Sequence, residues 1–190
     1  MTRSVFWRGL GWLSLEHLRL DVGPAIQADG LVVGEFDGAP FRLHYSLECD
    51  RAWRVRNLLV EDLREGTRIE LRADGQGNWT GSDGHARSEF DGCIDVDISA
   101  TPFTNTLPIR RLELRPGASS GIEVLYVALF PTLELRRAEQ RYTRLDAAGG
   151  ARYLYESVAT GFRVELLVDD DGLVMDYPGF WERVAAGGGS

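Results

Sequence analysis

Apolar residues recur at every second position in segment after segment, with turn-forming pairs between them. This period of two predicts half-buried antiparallel strands and an all-β chain. Leu31, Val33 and Phe36 run into Asp37-Gly38, and Phe41, Leu43, Tyr45 and Leu47 carry the chain back, the pattern of a hairpin. Trp53 and Val55 are followed by Leu58 to Val60 with a change of phase after Asn57, which predicts a bulge or bend. Glu65-Gly66 turns into Ile69 and Leu71, and Asp74 to Trp79 (DGQGNW) is a tight, glycine-dense connection. Residues 81–92 are mostly polar and read as an exposed hairpin. Ile94, Val96 and Ile98 then alternate with Cys93, Asp95, Asp97 and Ser99, marking one apolar and one mostly polar face.

Thr101 to Pro108 (TPFTNTLP) breaks the period with two prolines and fits a short helical turn. Leu112 and Leu114 are expected to resume a strand. Ile122 to Phe130 and Thr132 to Leu145 follow, separated by Pro131; the arginine-rich part, Leu133 to Tyr142, also fits a helix, but its β-branched and aromatic flanks favour a strand. Tyr153, Tyr155, Phe162, Val164, Leu166 and Val168 supply two more strands, and Asp169 to Gly172 turns into Leu173 to Tyr177. The segments amount to roughly ten to twelve strands of a single antiparallel β-roll or half-barrel with little helix. Residues 1–184 form one domain on this reading, and residues 185–190 (AAGGGS) a flexible tail.

Composition narrows the function classes. Hydrophobic residues at 44% and charged ones at 26% are those of a chain that folds, not of a disordered one. Twenty-nine acidic against 21 basic residues give a net charge of −8, which repels phosphate backbones, so no nucleic-acid partner is expected. All 21 basic residues are arginine, which excludes a Schiff-base or P-loop lysine. No window reaches about 18 consecutive apolar residues, so no integral membrane segment is expected. Arg8, Glu16 and His17 interrupt the opening apolar runs before signal-peptide length, making a cytoplasmic location the default expectation. Cys49 and Cys93 belong to no CxxC pair and read as reduced thiols filling core space.

Few patterns carry chemistry. Arg54 and Arg56 flank Val55, and Asp95 and Asp97 flank Val96, so each pair leaves one face of its strand; if the strands lie close, a charged ladder lines a concave polar wall. Asp95 and Asp97 also match a DxD spacing, but no phosphate-binding loop accompanies it. DDDG at 169–172 lacks the spacing of a calcium loop, and His17, His44 and His85 have no ligand spacing, so neither metal nor cofactor is expected. Five Trp, six Tyr and eight Phe exceed what a small core needs, and some are candidates to line a cavity.

The opening Trp-rich segment, Cys49 to Arg56 (CDRAWRVR), Asp74 to Trp79, Gly92 to Leu112 (GCIDVDISATPFTNTLPIRRL) and Tyr155 to Tyr177 with Pro178-Gly179 together give the chain a resemblance. It resembles the bacterial glycolipid-binding family over nearly its full length. The resemblance implies a spiral roll or half-barrel with a groove that holds a glycolipid or other amphiphile. On that basis the candidate ligand-binding residues are Trp53, Arg54, Arg56, Trp79, Asp95, Asp97, Thr104 and Asn105, and no catalytic residue is carried over. Two alternatives stay open: a hydrolase of a sugar or lipid ester using carboxylates from Glu48, Asp50, Asp95 and Asp97, and a partner-binding protein using an exposed sheet edge.

Overall fold

The computed structural model describes residues 1–146 and 149–188. In chain order its strands are β1 (Thr2–Gly9), β2 (Ser14–Val22), β3 (Ile26–Phe36), β4 (Ala39–Cys49), β5 (Val55–Asp62), β6 (Thr67–Ala73), β7 (Trp79–Gly81) and β8 (Asp95–Ile98). A 3-10 turn at Phe103–Asn105 and helix α1 (Thr106–Leu112) follow. Then come β9 (Ser119–Ala128), β10 (Glu134–Leu145), β11 (Ala151–Ser157), β12 (Phe162–Val168), β13 (Val174–Tyr177) and β14 (Trp181–Gly188). All fourteen strands join one sheet in the order β7-β6-β5-β4-β3-β2-β1-β14-β13-β12-β11-β10-β9-β8. Two meanders are thus sewn together by the first and last strands. The all-β roll expected from the alternation is present, with more strands than expected because both chain ends contribute.

Four expectations are corrected. Residues 185–188 continue β14 and pair with Arg3–Phe6 of β1, so they belong to the fold; residues 189 and 190 lie outside the described residues. Residues 81–92 are not an exposed hairpin, because a single bridge, Thr80 to Ala86, is followed by a 3-10 turn that buries Phe90. Leu112 ends α1 and Leu114 follows it, neither in a strand; both pack on the second core described below. The fourth concerns β8, which pairs with β9 in parallel, Asp95 opposite Val124 and Ile98 opposite Val127. A parallel pair needs a crossover of a dozen or more residues, and residues 99–118 are that crossover. Pro108 fits α1 because it occupies the first turn, where an N–H has no helical partner. Glu113, at φ 45°, ends the helix.

The bend expected after Asn57 lies just before it, as a register shift at Arg56: Glu48 pairs with Asn57 but Cys49 with Val55. Burial follows the period of two. Ser14, Glu16, Leu18 and Leu20 of β2 point inward while the intervening residues are exposed. One core joins the N-terminal meander (Leu18, Leu43, Tyr45, Val60) to Val96, Ile98, Leu125 and Val127 of β8 and β9 and to Phe103 and Leu107 of the crossover. A second packs Ile109 of α1 against Tyr142, Tyr153, Tyr155, Leu166 and Val174. β8 and β9 are therefore an inner wall, covered on both faces. The free edge at β7 is tied to the segment before β8 by the Trp79 indole, which donates to the Cys93 carbonyl at 2.7 Å, and by the Gly92 N–H, which donates to the Gly77 carbonyl at 3.0 Å. Gly77 has φ 95°, and a Cβ there would lie 2.8 Å from Gly92 Cα, so the contact requires glycine. Cys49 and Cys93 are free and buried, and burial raises both thiol pKa values, that of Cys93 to about 11.

Candidate functional site

A cleft of about 350 Å3 opens beside the inner wall, on the face of β8–β9 that looks away from the N-terminal meander. Its floor is polar: Asp97 from β8, Thr101 and Asn105 from the crossover, Gln140 from β10. Its walls are aromatic: Tyr126 from β9, Tyr155 from β11, Phe162 from β12, with Tyr177, Phe180 and Trp181 beyond them. Strand register explains the grouping, since Asp97 lies opposite Tyr126, Tyr126 opposite Arg136, and Tyr142 opposite Tyr155, all on one sheet face. An adjoining chamber of about 250 Å3 shares Trp12, Ser99, Tyr126 and Arg136 with the cleft and is otherwise lined by Phe36, Phe41, Ala100, Ala128 and Phe130. Trp12 divides the two spaces, its ring edge-on to Phe36 at 6.2 Å and to Phe180 at 6.1 Å.

The floor is held by hydrogen bonds. Asp97 accepts from the Thr104 hydroxyl at 3.2 Å and from the Gln140 amide at 2.5 Å, and burial raises its pKa against the effect of those bonds. Asn105 accepts from the Tyr142 hydroxyl at 2.9 Å and donates to the Pro102 carbonyl at 3.2 Å. Burial, and next the negative charge of Asp97, raise the pKa of Tyr155 and Tyr177, so both phenols stay protonated. Thr101 donates to Glu16 at 2.7 Å, linking the crossover to β2. Glu16 is fully buried, accepts a second hydrogen bond from Tyr45 at 2.5 Å, and has its pKa pushed up to about 8 by desolvation.

A larger groove, about 640 Å3, lies on the outer face of β2–β6. Four of its charged side chains pair with one another, Arg19 with Asp21 and Arg68 with Glu70, and no aromatic side chain lines it. It has the character of a solvated sheet face. The aromatic cleft is the better site on chemical grounds.

The residues expected from the sequence divide sharply. Asp97 and Asn105 line the cleft, and Thr104 holds Asp97 from beneath. The Arg54, Arg56, Asp95 and Asp97 ladder does not form, because β5 and β8 are far apart in sheet order. Asp95 is buried and instead receives a forked pair of bonds from Arg111, its Nε at 3.0 Å from Oδ1 and its NH2 at 2.6 Å from Oδ2. Arg54 and Arg56 are exposed, and Arg56 donates to the Ala73 carbonyl at 3.1 Å. Trp53 is buried under the Arg110 guanidinium, 5.4 Å from its ring centroid, and Trp79 closes the β7 edge as described; neither lines the cleft. Of the four carboxylates considered for hydrolysis, only Asp97 lines it, since Glu48 bonds Asn57 and Asp50 caps a turn at Ala52 and Arg54.

Sequence reasoning missed Trp12, Tyr126, Arg136, Gln140 and Tyr155 as site residues, and Glu16 as a buried acid. The phase of Glu16 with Leu18 and Leu20 was the available signal for burial. For Gln140, its phase with Tyr142 along β10 was the corresponding one.

The comparisons with known proteins agree with this architecture. A crystal structure of a DUF1089 family protein from Pseudomonas aeruginosa is 43% identical, covers 90% of this chain and 92% of its own, and superposes with a TM-score of 0.78. No curated protein matches the chain. The family model described as "putative glycolipid-binding" matches residues 4–183. At that coverage, the chain belongs to the family so described.

Proposed function

We propose that the protein is a non-catalytic carrier or sensor that holds a glycolipid or similar amphiphile in the cleft and its adjoining chamber. The observation that carries the reading is that a polar-floored, aromatic-walled cleft adjoins an apolar chamber, with Trp12 between them. An amphiphile has the same division. Aromatic faces suit the C–H faces of sugar rings as well as acyl chains, and amide, hydroxyl and carboxylate groups suit sugar hydroxyls. Each methylene withdrawn from water contributes roughly 0.8 kcal/mol, so an eight-carbon chain supplies roughly 6 kcal/mol before the cost of immobilisation. The family assignment supports the same reading.

The test is native mass spectrometry of the protein as purified and after incubation with a total lipid extract of its host, with organic extraction of whatever travels with it. A bound amphiphile near one per chain is expected, and Trp12→Ala should reduce its occupancy. A mass equal to the bare chain under both conditions would refute the reading.

A further inference from the structure

The floor of the cleft has unfilled hydrogen-bonding capacity of one kind. Gln140 is only 2% exposed; its amide N–H donates to Asp97, and its Oε1 has no partner. Tyr155 is 7% exposed, and neither its hydroxyl nor that of Tyr177 makes a hydrogen bond among the described residues, although both side chains line the cleft. Each Asp97 oxygen receives one bond, leaving further lone pairs. Of these groups Gln140 Oε1 is the one held out of water without a partner, which is costly, while the two phenol oxygens reach the cleft; a ligand that donates to Gln140 removes that cost. Gln140 and Asp97 call for donors, and the two phenols can both donate and accept.

The floor side chains Asp97, Thr101, Asn105 and Gln140 carry no positive charge, and the charge that acts on Asp97 is that of Arg136 at the rim. The arginines that line the cleft are exposed: Arg136 stacks over Tyr126 at 4.5 Å from the ring centroid, and Arg137 pairs with Glu123. A phosphate, sulfate or carboxylate head group only accepts hydrogen bonds, so it cannot serve Gln140 Oε1 and would be set beside the Asp97 carboxylate with no buried counter-charge. A sugar hydroxyl both donates and accepts. The apolar chamber lined by Phe36, Phe41 and Phe130 leads away from this floor and is the only adjoining space described that suits a tail.

Resting on the amphiphile reading above, we infer that the cleft takes an uncharged, hydroxyl-rich head group inward onto Asp97, Gln140 and Tyr155, with the tail along Phe36, Phe41 and Phe130, and discriminates against anionic head groups. Specificity for charge thus comes from the floor and affinity for the tail from the chamber. A site built to hydrogen-bond a hydroxyl rejects analogues lacking it because its own buried groups are then left unpaired.

Isothermal titration with two probes of equal tail length, octyl β-glucoside and octyl sulfate, each below its micelle-forming concentration, tests this on the full chain. Octyl β-glucoside should bind at least tenfold more tightly than octyl sulfate. Gln140→Met should lose about tenfold for the glucoside and nothing for the sulfate. Tyr155→Phe, which removes only a hydroxyl, is the second variant should Gln140→Met fold poorly, and it should act in the same selective way. Phe36→Ala should weaken both probes by the same factor. Equal or tighter binding of octyl sulfate, or glucoside affinity unchanged in both floor variants, would overturn the head-group assignment while leaving the amphiphile reading intact. Failure of both probes to bind, together with a bare native mass, would overturn both.

Discussion

Glu16 offers the sharpest test of how this interior works. Its carboxyl is wholly buried in the larger core, with Tyr45 and Thr101 both donating to Oε1 and with Oε2 unpartnered. Desolvation dominates those two bonds and moves the group from its ordinary 4.5 to about 8. Between these values the folded chain holds a proton that the unfolded chain has released. Stability contributed by this group is therefore complete below pH 4.5, falls as pH rises, and is gone above about 8. The slope is up to about 1.4 kcal/mol per pH unit, roughly 5 kcal/mol across the interval. Glu16→Gln keeps an acceptor for Tyr45 and Thr101 and abolishes the titration. Urea unfolding of wild type and variant at pH 5, 6, 7 and 8 gives the difference directly, since groups shared by both proteins cancel. The variant should gain on the wild type at each step. A difference constant to within about 0.5 kcal/mol across the series would refute the claim that a protonated acid is built into the core.

Arg111→Met should destabilise the protein by about 3–5 kcal/mol, because it strands the buried Asp95 carboxylate, whereas Asp95→Asn combined with Arg111→Met should recover most of the loss; equal stabilities of the single and double variants by urea unfolding would contradict this. Gly30→Ala places a Cβ 2.1 Å from the Tyr45 ring, which is fully buried and cannot move aside cheaply. It should cost about 1–3 kcal/mol, read as a fall in Tm, and a midpoint unchanged within about 2 °C would show that the ring is not confined as described.

Much of the roll was legible because strand alternation is a local property. The hairpin at Asp37-Gly38, the bulge opposite Glu48 and the strand character of residues 134–145 follow from neighbours along the chain, and each is present. The crossover was harder. TPFTNTLP signals a helical turn, but nothing nearby shows that the turn grows into α1 and carries the chain far enough for β8 and β9 to run parallel. Leu112 and Leu114 look like a strand at period two because a helix end that packs one side on a core presents apolar residues at similar spacing.

The candidate site shows the same limit. Asp95 and Asp97 share a strand face, yet one is neutralised by Arg111 and the other lines the cleft with Gln140. Their fates depend on Arg111 of α1 and Gln140 of β10, 16 and 43 residues further along the chain. By itself the sequence determined the all-β class, the strand phases and the lack of lysine chemistry, since these are set by composition and by side chains one or two positions apart. That Arg111 meets Asp95, that Glu16 is enclosed, and that Trp12, Tyr126, Gln140 and Tyr155 gather around one cleft are results of packing between distant elements. Those outcomes arise when two meanders are sewn together at β1 and β14 and curl around a crossover, a long-range closure that no local period encodes.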